Sequence, residues 1–326
     1  MKNTPTQGLR DAVALSLLTL AAFSAGACAQ DKYPSRPVSI VVPFGPGSSS
    51  DASVRLLTAK IQPQFGQTVL VENRAGGNAT LGPAYVARAK PDGYTLLYGS
   101  TSSMGTAPGL IKGLSYDPVR DFSGITVVGE QYIAVLTRPE FKGLSVPQFL
   151  ERLRRTPDSF PIGGQSAYFQ ILDKMMKDSA KLQHVYVPYA EAGRMMNDLW
   201  GGRLGGVLMS AALALPMHRS GQGYVVALSS PERLAGAPGV PTLQETLPGL
   251  QSKSWTGYVA PAKTPRPIIS FLYSMISEAN KDPEIFRRNE DGGKAMFLTP
   301  DETDAYVRKD VAFWITQLKS AGIEPE

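Results

Sequence analysis

Short β-branched and apolar runs alternate with helical spacing along most of the chain. Ser39-Ile40-Val41-Val42 opens the series and reads as a strand covered on both faces. Pro43-Phe44-Gly45-Pro46-Gly47 breaks it, and a helix follows from near Asp51 through Val54, Leu57 and Ile61 to Gly66. Thr68 to Asn73 is a second strand. A helix from about Leu81 to Ala89 stops at the turn Pro91-Asp92-Gly93. Tyr94 to Tyr98 is a third strand, and Gly99 to Ser103 a polar loop at its end. This β-α-β-α-β order predicts a parallel sheet. Loops after its first and third strands share the edge where open α/β folds bind ligands.

The same alternation continues. Ile125 to Val128 and Ile133 to Leu136 read as two short strands, Val146 to Arg154 as a helix, and Tyr168 to Ser179 as another. Val185 to Tyr189, Val207 to Met209 and Val225 to Leu228 are strands, with helices over Ala192–Trp200 and Leu213–Arg219 between them. Trp255 to Pro261 returns the chain to the first sheet. Helices then run over about Pro267–Asn280, Pro283–Asn289 and Pro300–Ala321. The pattern predicts an α/β protein of two lobes, 31–128 with 252–326 and 129–251, joined by at least two crossovers and enclosing a cleft.

The first strand–helix junction carries candidate chemistry. Gly45 and Gly47 permit a sharp turn and close approach of a ligand. Ser48 and Ser49 can cap the helix, whose first N–H groups and positive dipole end suit a carboxylate. The residues alone also allow a plain connection that binds nothing. Asp51 reads as structural, stabilised by the dipole, because an anion there would repel a carboxylate.

Charge and composition narrow the field. The 326 residues carry a formal charge of +5 with scattered basic positions. No Lys/Arg block or aromatic-basic interleaving points to nucleic acid. Lys2 and Arg10, the apolar run Ala12–Ala22 and the small residues Ala27-Cys28-Ala29 read as a signal peptide over 1–29. Cys28, the single cysteine, leaves with it. Lipid anchoring at Cys28 is the alternative, although Ala25 stands where lipoprotein boxes carry a large aliphatic residue. A mature chain without cysteine has no disulfide framework. Two distant histidines, His184 and His218, and no G-x-S-x-G motif argue against a zinc site or a Ser–His hydrolase.

Several motifs together carry a family resemblance. YPSRPVSIVVPFGPGSSSD, VENRAGGNATLG, KPDGYTLLYGS, SYDPVRDFSGITVV, HVYVPY, SSPERLAGAPGVPTLQET and SWTGYVAPAKTP resemble, in order and spacing, the receptors of tripartite tricarboxylate transporters, the Bug family. The resemblance covers nearly the whole mature chain. It implies a two-lobed, type II-like periplasmic-binding-protein fold that closes on a small carboxylate. It further implies a periplasmic, monomeric receptor that delivers its ligand to a membrane permease, with no cofactor and no catalysis. The family pattern puts ligand contacts at Phe44, Gly45, Gly47, Ser48 and Ser49, and at Ser100, Thr101 and Ser102. In lobe two it puts them at Gly164, Gln165, Ser166 and Tyr168, and around Tyr189 and Glu191. Ser49 and Thr101 hydroxyls are expected to hold one carboxylate.

Lobe two departs from the family pattern. Gln170 stands where a histidine is usual, Ala190-Glu191 replaces Lys-Gly, and Met209-Ser210 replaces an acidic position. Glu191 at the rim would repel a second ligand carboxylate, and Tyr168 and Phe169 would add apolar wall. These departures point to monocarboxylates with an apolar, aromatic or amine-bearing body. A receptor serving a membrane sensor rather than a permease is the rival reading, since fold alone does not fix function.

Overall fold

The computed structural model describes residues 33–326 apart from Ser166, Ala190, Asp291, Ala321 and Glu326. The expected signal peptide and Cys28 lie outside the described residues. The segment from Arg36 onward forms one compact unit.

The first half follows the predicted order. β1 (Val38–Val42) is buried almost throughout and pairs in parallel with β2 (Val69–Asn73) and β3 (Thr95–Ser100). Between them run α1 (Ser49–Phe65) and α2 (Leu81–Ala87). Ser48 caps α1, its side chain accepting the Asp51 N–H, and Gly66 ends it in the left-handed region at φ 74°. The loop expected over Gly99–Ser103 is instead the end of β3 followed by a π-helical turn, Thr101–Thr106, and the short α3 (Ala107–Leu110). Ser100 and Ser103 cap each other reciprocally at its start, which gives a polar sequence helical order.

A second difference decides the architecture. The two short strands expected at Ile125–Val128 and Ile133–Leu136 are one strand, β4 (Phe122–Thr137). The polar step Gly129-Glu130-Gln131 looks like a break in sequence. It stays extended because β9 (Lys253–Pro261) pairs along Phe122–Tyr132, absorbing two register shifts. The short β10 (Gly293–Ala295), not anticipated, covers Gly129–Gln131 on the other side.

Beyond this point β4 enters a second sheet. Its C-terminal part pairs with β7 (Gly206–Ser210) and β8 (Tyr224–Leu228). β5 (Ile162–Gly164) lies parallel to β7 and to β6 (Tyr186–Pro188). The helices of this half are α4 (Val146–Arg155), α5 (Ala167–Ala180), α6 (Ala192–Trp200) and α7 (Ala211–Arg219). Its two faces are packed by Phe149, Leu153, Ile171 and Leu208, and by Leu136, Met195, Leu199 and Leu215. The chain ends in α8 (Arg266–Ala279), α9 (Pro283–Glu290) and α10 (Pro300–Ser320). α10 serves both halves: Val307 and Val311 join the core of the first, while Trp314 and Leu318 join that of the second. Trp255, expected at the crossover, is fully buried in β9.

Candidate functional site

Strand direction brings the candidate loops together. β3 runs antiparallel to β9, and β9 antiparallel to β4, so β3 and β4 point the same way. At its end Ser100 faces Thr256, which faces Gly129 of β4. β7 runs the opposite way along β4 and ends with Ser210 opposite Ile133. The C-terminal ends of the two parallel sets therefore converge on the middle of β4. Gly129 and Ile133 are four residues apart, about 13 Å of extended chain. Loops after β1, β3, β5, β6 and β7 all belong to these ends.

The loop after β1 is held from within. Asp51 Oδ2 accepts the Gly47 N–H at 3.0 Å, and Asp51 also accepts Arg55 Nε and Asn73 Nδ2. Asn73 Nδ2 bonds the Phe44 carbonyl at 3.0 Å as well. The bonds from Arg55, Gly47 and Asn73 outweigh burial and hold the Asp51 carboxyl down at about 2. Ser48 N–H bonds the Gly45 carbonyl, and Ser48 Oγ the Asp51 N–H. Gly47 takes a left-handed φ of 79°. Gly45, Gly47 and Ser48 thus shape the loop, and Ser49 is its exposed hydroxyl-bearing residue.

The loop after β3 corrects one expectation. Thr101 is fully buried, and its Oγ1 accepts the Trp255 N–H at 2.9 Å. It ties the turn to β9 instead of facing solvent. Ser100 is buried in the mutual cap with Ser103, and Ser102 is half-buried.

In the second half Gly164 ends β5 beneath the Tyr186 hydroxyl, leaving no room for a Cβ. Its carbonyl accepts the Tyr189 N–H at 2.8 Å, joining the loops after β5 and β6. Gln165 is exposed; Ser166 lies outside the described residues. Tyr168 is a second correction. It is 6% exposed and packs edge-on against Trp314, centroids 5.4 Å apart, with its hydroxyl accepting from Ser252. Its ring fills core between α5 and α10, so it adds no open wall. Tyr189 is half-buried and donates to Asp198 Oδ2 at 2.6 Å; burial and the Asp198 charge push its hydroxyl up to about 12. Glu191 is exposed, extended at φ −124°, and makes no side-chain cap to α6. Arg194, exposed one turn on, puts a positive charge beside Tyr189 and Asp198.

Sequence reasoning did not single out the middle of β4. Glu130 is 7% exposed and accepts Lys253 Nζ at 2.5 Å, Tyr306 at 2.8 Å and Tyr132 at 3.0 Å. Burial alone would raise its carboxyl, but these bonds outweigh it and lower it. The partners come from β4, β9 and α10, so no local motif announces them. Among the described residues no His/Cys/Asp/Glu group has the makings of a metal site, and no helix is long and apolar enough to cross a membrane.

The profile of the tripartite tricarboxylate transporter family receptors matches residues 53–312. The chain belongs to that family. A UPF0065 protein of Bordetella bronchiseptica is 30% identical over 333 residues, 99% of each chain. Protein BugT of Bordetella pertussis is 28% identical over 297 residues, covering 90% of this chain and 91% of BugT. The solved periplasmic binding protein BugD superposes with a TM-score of 0.80 at 29% identity, over 90% of this chain and 100% of BugD. MatC of Rhodopseudomonas palustris, solved with malate, gives 0.75 at 28% identity, over 88% of this chain and all of MatC. An R. palustris protein solved with adipate gives 0.81 at 25% identity, over 90% of this chain and all of that one. The receptor has the two-lobed fold of these binding proteins, and its role is that of a solute receptor for a tripartite tricarboxylate-type transporter.

Proposed function

We propose that the receptor holds a small carboxylate at the middle of β4, between the loops after β1 and β3 and those after β5, β6 and β7, and delivers it to a membrane permease. The observation that carries this reading is the convergence of both sets of strand ends on Gly129–Ile133. Malate and adipate in two relatives support a carboxylate as the ligand class. The lobes run from 31 to 128 with 252–326, and from 129 to 251. The chain acts as a periplasmic monomer after loss of residues 1–29, and performs no catalysis.

One ligand carboxylate sits at the first turn of α1, with Ser49 as the donating hydroxyl and Thr101 bracing the facing loop. A hydrogen bond to a charged group is worth about 1.5–3 kcal/mol, so Ser49→Ala weakens binding roughly tenfold or more. Native mass spectrometry of receptor purified without refolding identifies the retained ligand, and calorimetry with it measures the variant. An unchanged affinity removes Ser49 from the site; a receptor that binds no carboxylate overturns the assignment.

A further inference from the structure

A buried path connects the two sets of loops. Thr101 Oγ1 accepts the Trp255 N–H, and the Trp255 indole Nε1–H donates to Asp310 Oδ2 at 2.7 Å. The other oxygen, Oδ1, accepts the Trp314 indole Nε1–H at 3.1 Å. The Trp314 ring meets Tyr168 at an interplanar angle of 74°. Tyr168 stands in the first turn of α5, directly behind Gly164 and Gln165. None of the five residues is more than 7% exposed. Gly105 of the π-helical turn lies against the Asp310 carboxylate so closely that a Cβ there would strike it.

We propose that Asp310 is a positioning residue: by holding both indoles it fixes the Thr101–Thr106 turn for ligand and couples that turn to the loop at Gly164 and Gln165. This rests on the reading that both loops contact the ligand. A carboxylate suits the role because it is the one short side chain able to accept from two N–H groups at once through separate oxygens. Two neutral donors do not compensate a buried charge fully. Burial pushes Asp310 up to about 7 against the pull of both indole bonds and of Lys253 in β9; Glu130 in β4 pushes it further. The phenols of Tyr168 and Tyr306 face the same carboxylate and are themselves raised by burial. The turn Thr-Ser-Ser-Met-Gly-Thr contributes no charge. Asp310 thus exchanges near neutral pH between an anion that accepts both N–H bonds and an acid whose protonated oxygen accepts poorly. Loop order and ligand affinity follow that exchange, both greater on the alkaline side.

Two measurements on the mature chain test this. The first is hydrogen–deuterium exchange at alkaline pH without ligand, comparing the native receptor with Asp310→Asn. Faster exchange is expected over both 99–106 and 164–170; a change in neither, or in the first alone, overturns the coupling. The second follows tryptophan fluorescence against pH in a Trp200→Phe background, which leaves Trp255 and Trp314. A transition near pH 7 is expected, lost in Asp310→Asn. Trp314→Phe keeps the ring packing but removes one donor to the anion, so its midpoint moves to higher pH. That variant decides the matter if Asp310→Asn does not fold, since a purely structural role leaves the midpoint in place. A flat native titration overturns the proposal. With benzoate as the monocarboxylate probe and malate and adipate as dicarboxylates, Asp310→Asn binds whichever acid the native receptor holds about tenfold more weakly or worse; equal affinity refutes the positioning role. If none of the three acids protects either loop while the exchange response persists, the coupling stands and the carboxylate site itself is what fails.

Discussion

Asp51 and Glu191 are both acidic residues beside helix N-termini, yet they do opposite things. Asp51 is buried and consumes the Gly47 N–H, so that donor is withheld from a ligand. Removing it strands that donor and two side-chain donors, so Asp51→Ala should cost on the order of 1–3 kcal/mol of stability. Because its carboxyl is held down, this contribution is present above its unfolded value near 4 and disappears as pH falls towards 2. Chemical denaturation at neutral pH and at acid pH gives the difference. Glu191 is exposed and makes no cap. Should a second ligand carboxylate come within about 4 Å, repulsion at an effective dielectric of about 20 is on the order of 4 kcal/mol. The receptor is therefore expected to favour monocarboxylates, and Glu191→Gly to shift preference towards di- and tricarboxylates. Thermal-shift screening of citrate, succinate, aspartate, benzoate-type acids and amino acids measures it; strong stabilisation by citrate alone, unchanged in Glu191→Gly, refutes the idea. Arg194 on the same turn is the opposing charge, and Arg194→Ala should deepen the discrimination.

Among the elements, the β4–β9 pair bears the connection between halves. Gly257 of β9 lies where an added Cβ would sit 2.5 Å from the Thr126 carbonyl oxygen and 2.9 Å from the Val127 Cα. Both obstacles are backbone, so Gly257→Ala must spread the two crossover strands. A loss of roughly 1–3 kcal/mol is expected from such overpacking. Gly236 has nothing within 4 Å of its Cβ position, and Gly236→Ala serves as the near-neutral control. Urea midpoints of the two variants check the contrast. The elements also show what a one-dimensional pattern can carry. α1 was legible to within two residues at its start, near Asp51 against Ser49, and at its end by Gly66, because cap, apolar spacing and terminating glycine are all local. The continuity of β4 was not, because its polar middle is kept extended by partners more than a hundred residues away in sequence.

For the whole molecule, Glu130 joins three elements where the halves meet. Its carboxyl is lowered, so the stability it contributes is complete above its unfolded value of about 4.5 and falls away as pH drops through its lower folded value. Glu130→Gln keeps the shape but loses the ion pair with Lys253, and should flatten acid denaturation below that pH. An unchanged acid profile would leave the network without a part in holding the crossover. The effect on ligand closure is read separately, by small-angle scattering with and without the acid that stabilises the receptor most in the thermal-shift screen.

The sequence by itself determined the α/β class, the order of most elements, the strand–loop–helix junction at Ser39–Asp51 and the family, because each depends on local patterns or on motifs in series. Asp51 was legible as structural for the same reason. Tertiary structure alone decided the rest. It buried Thr101 under Trp255 and Tyr168 under Trp314, where the family resemblance implies ligand contacts. It drew Glu130 and Asp310 into buried networks with donors from β4, β9 and α10. Polarity and spacing tell which side chains suit a carboxylate, but whether a hydroxyl or ring faces the ligand or the core depends on what packs behind it. For these residues that packing comes from the far end of the chain.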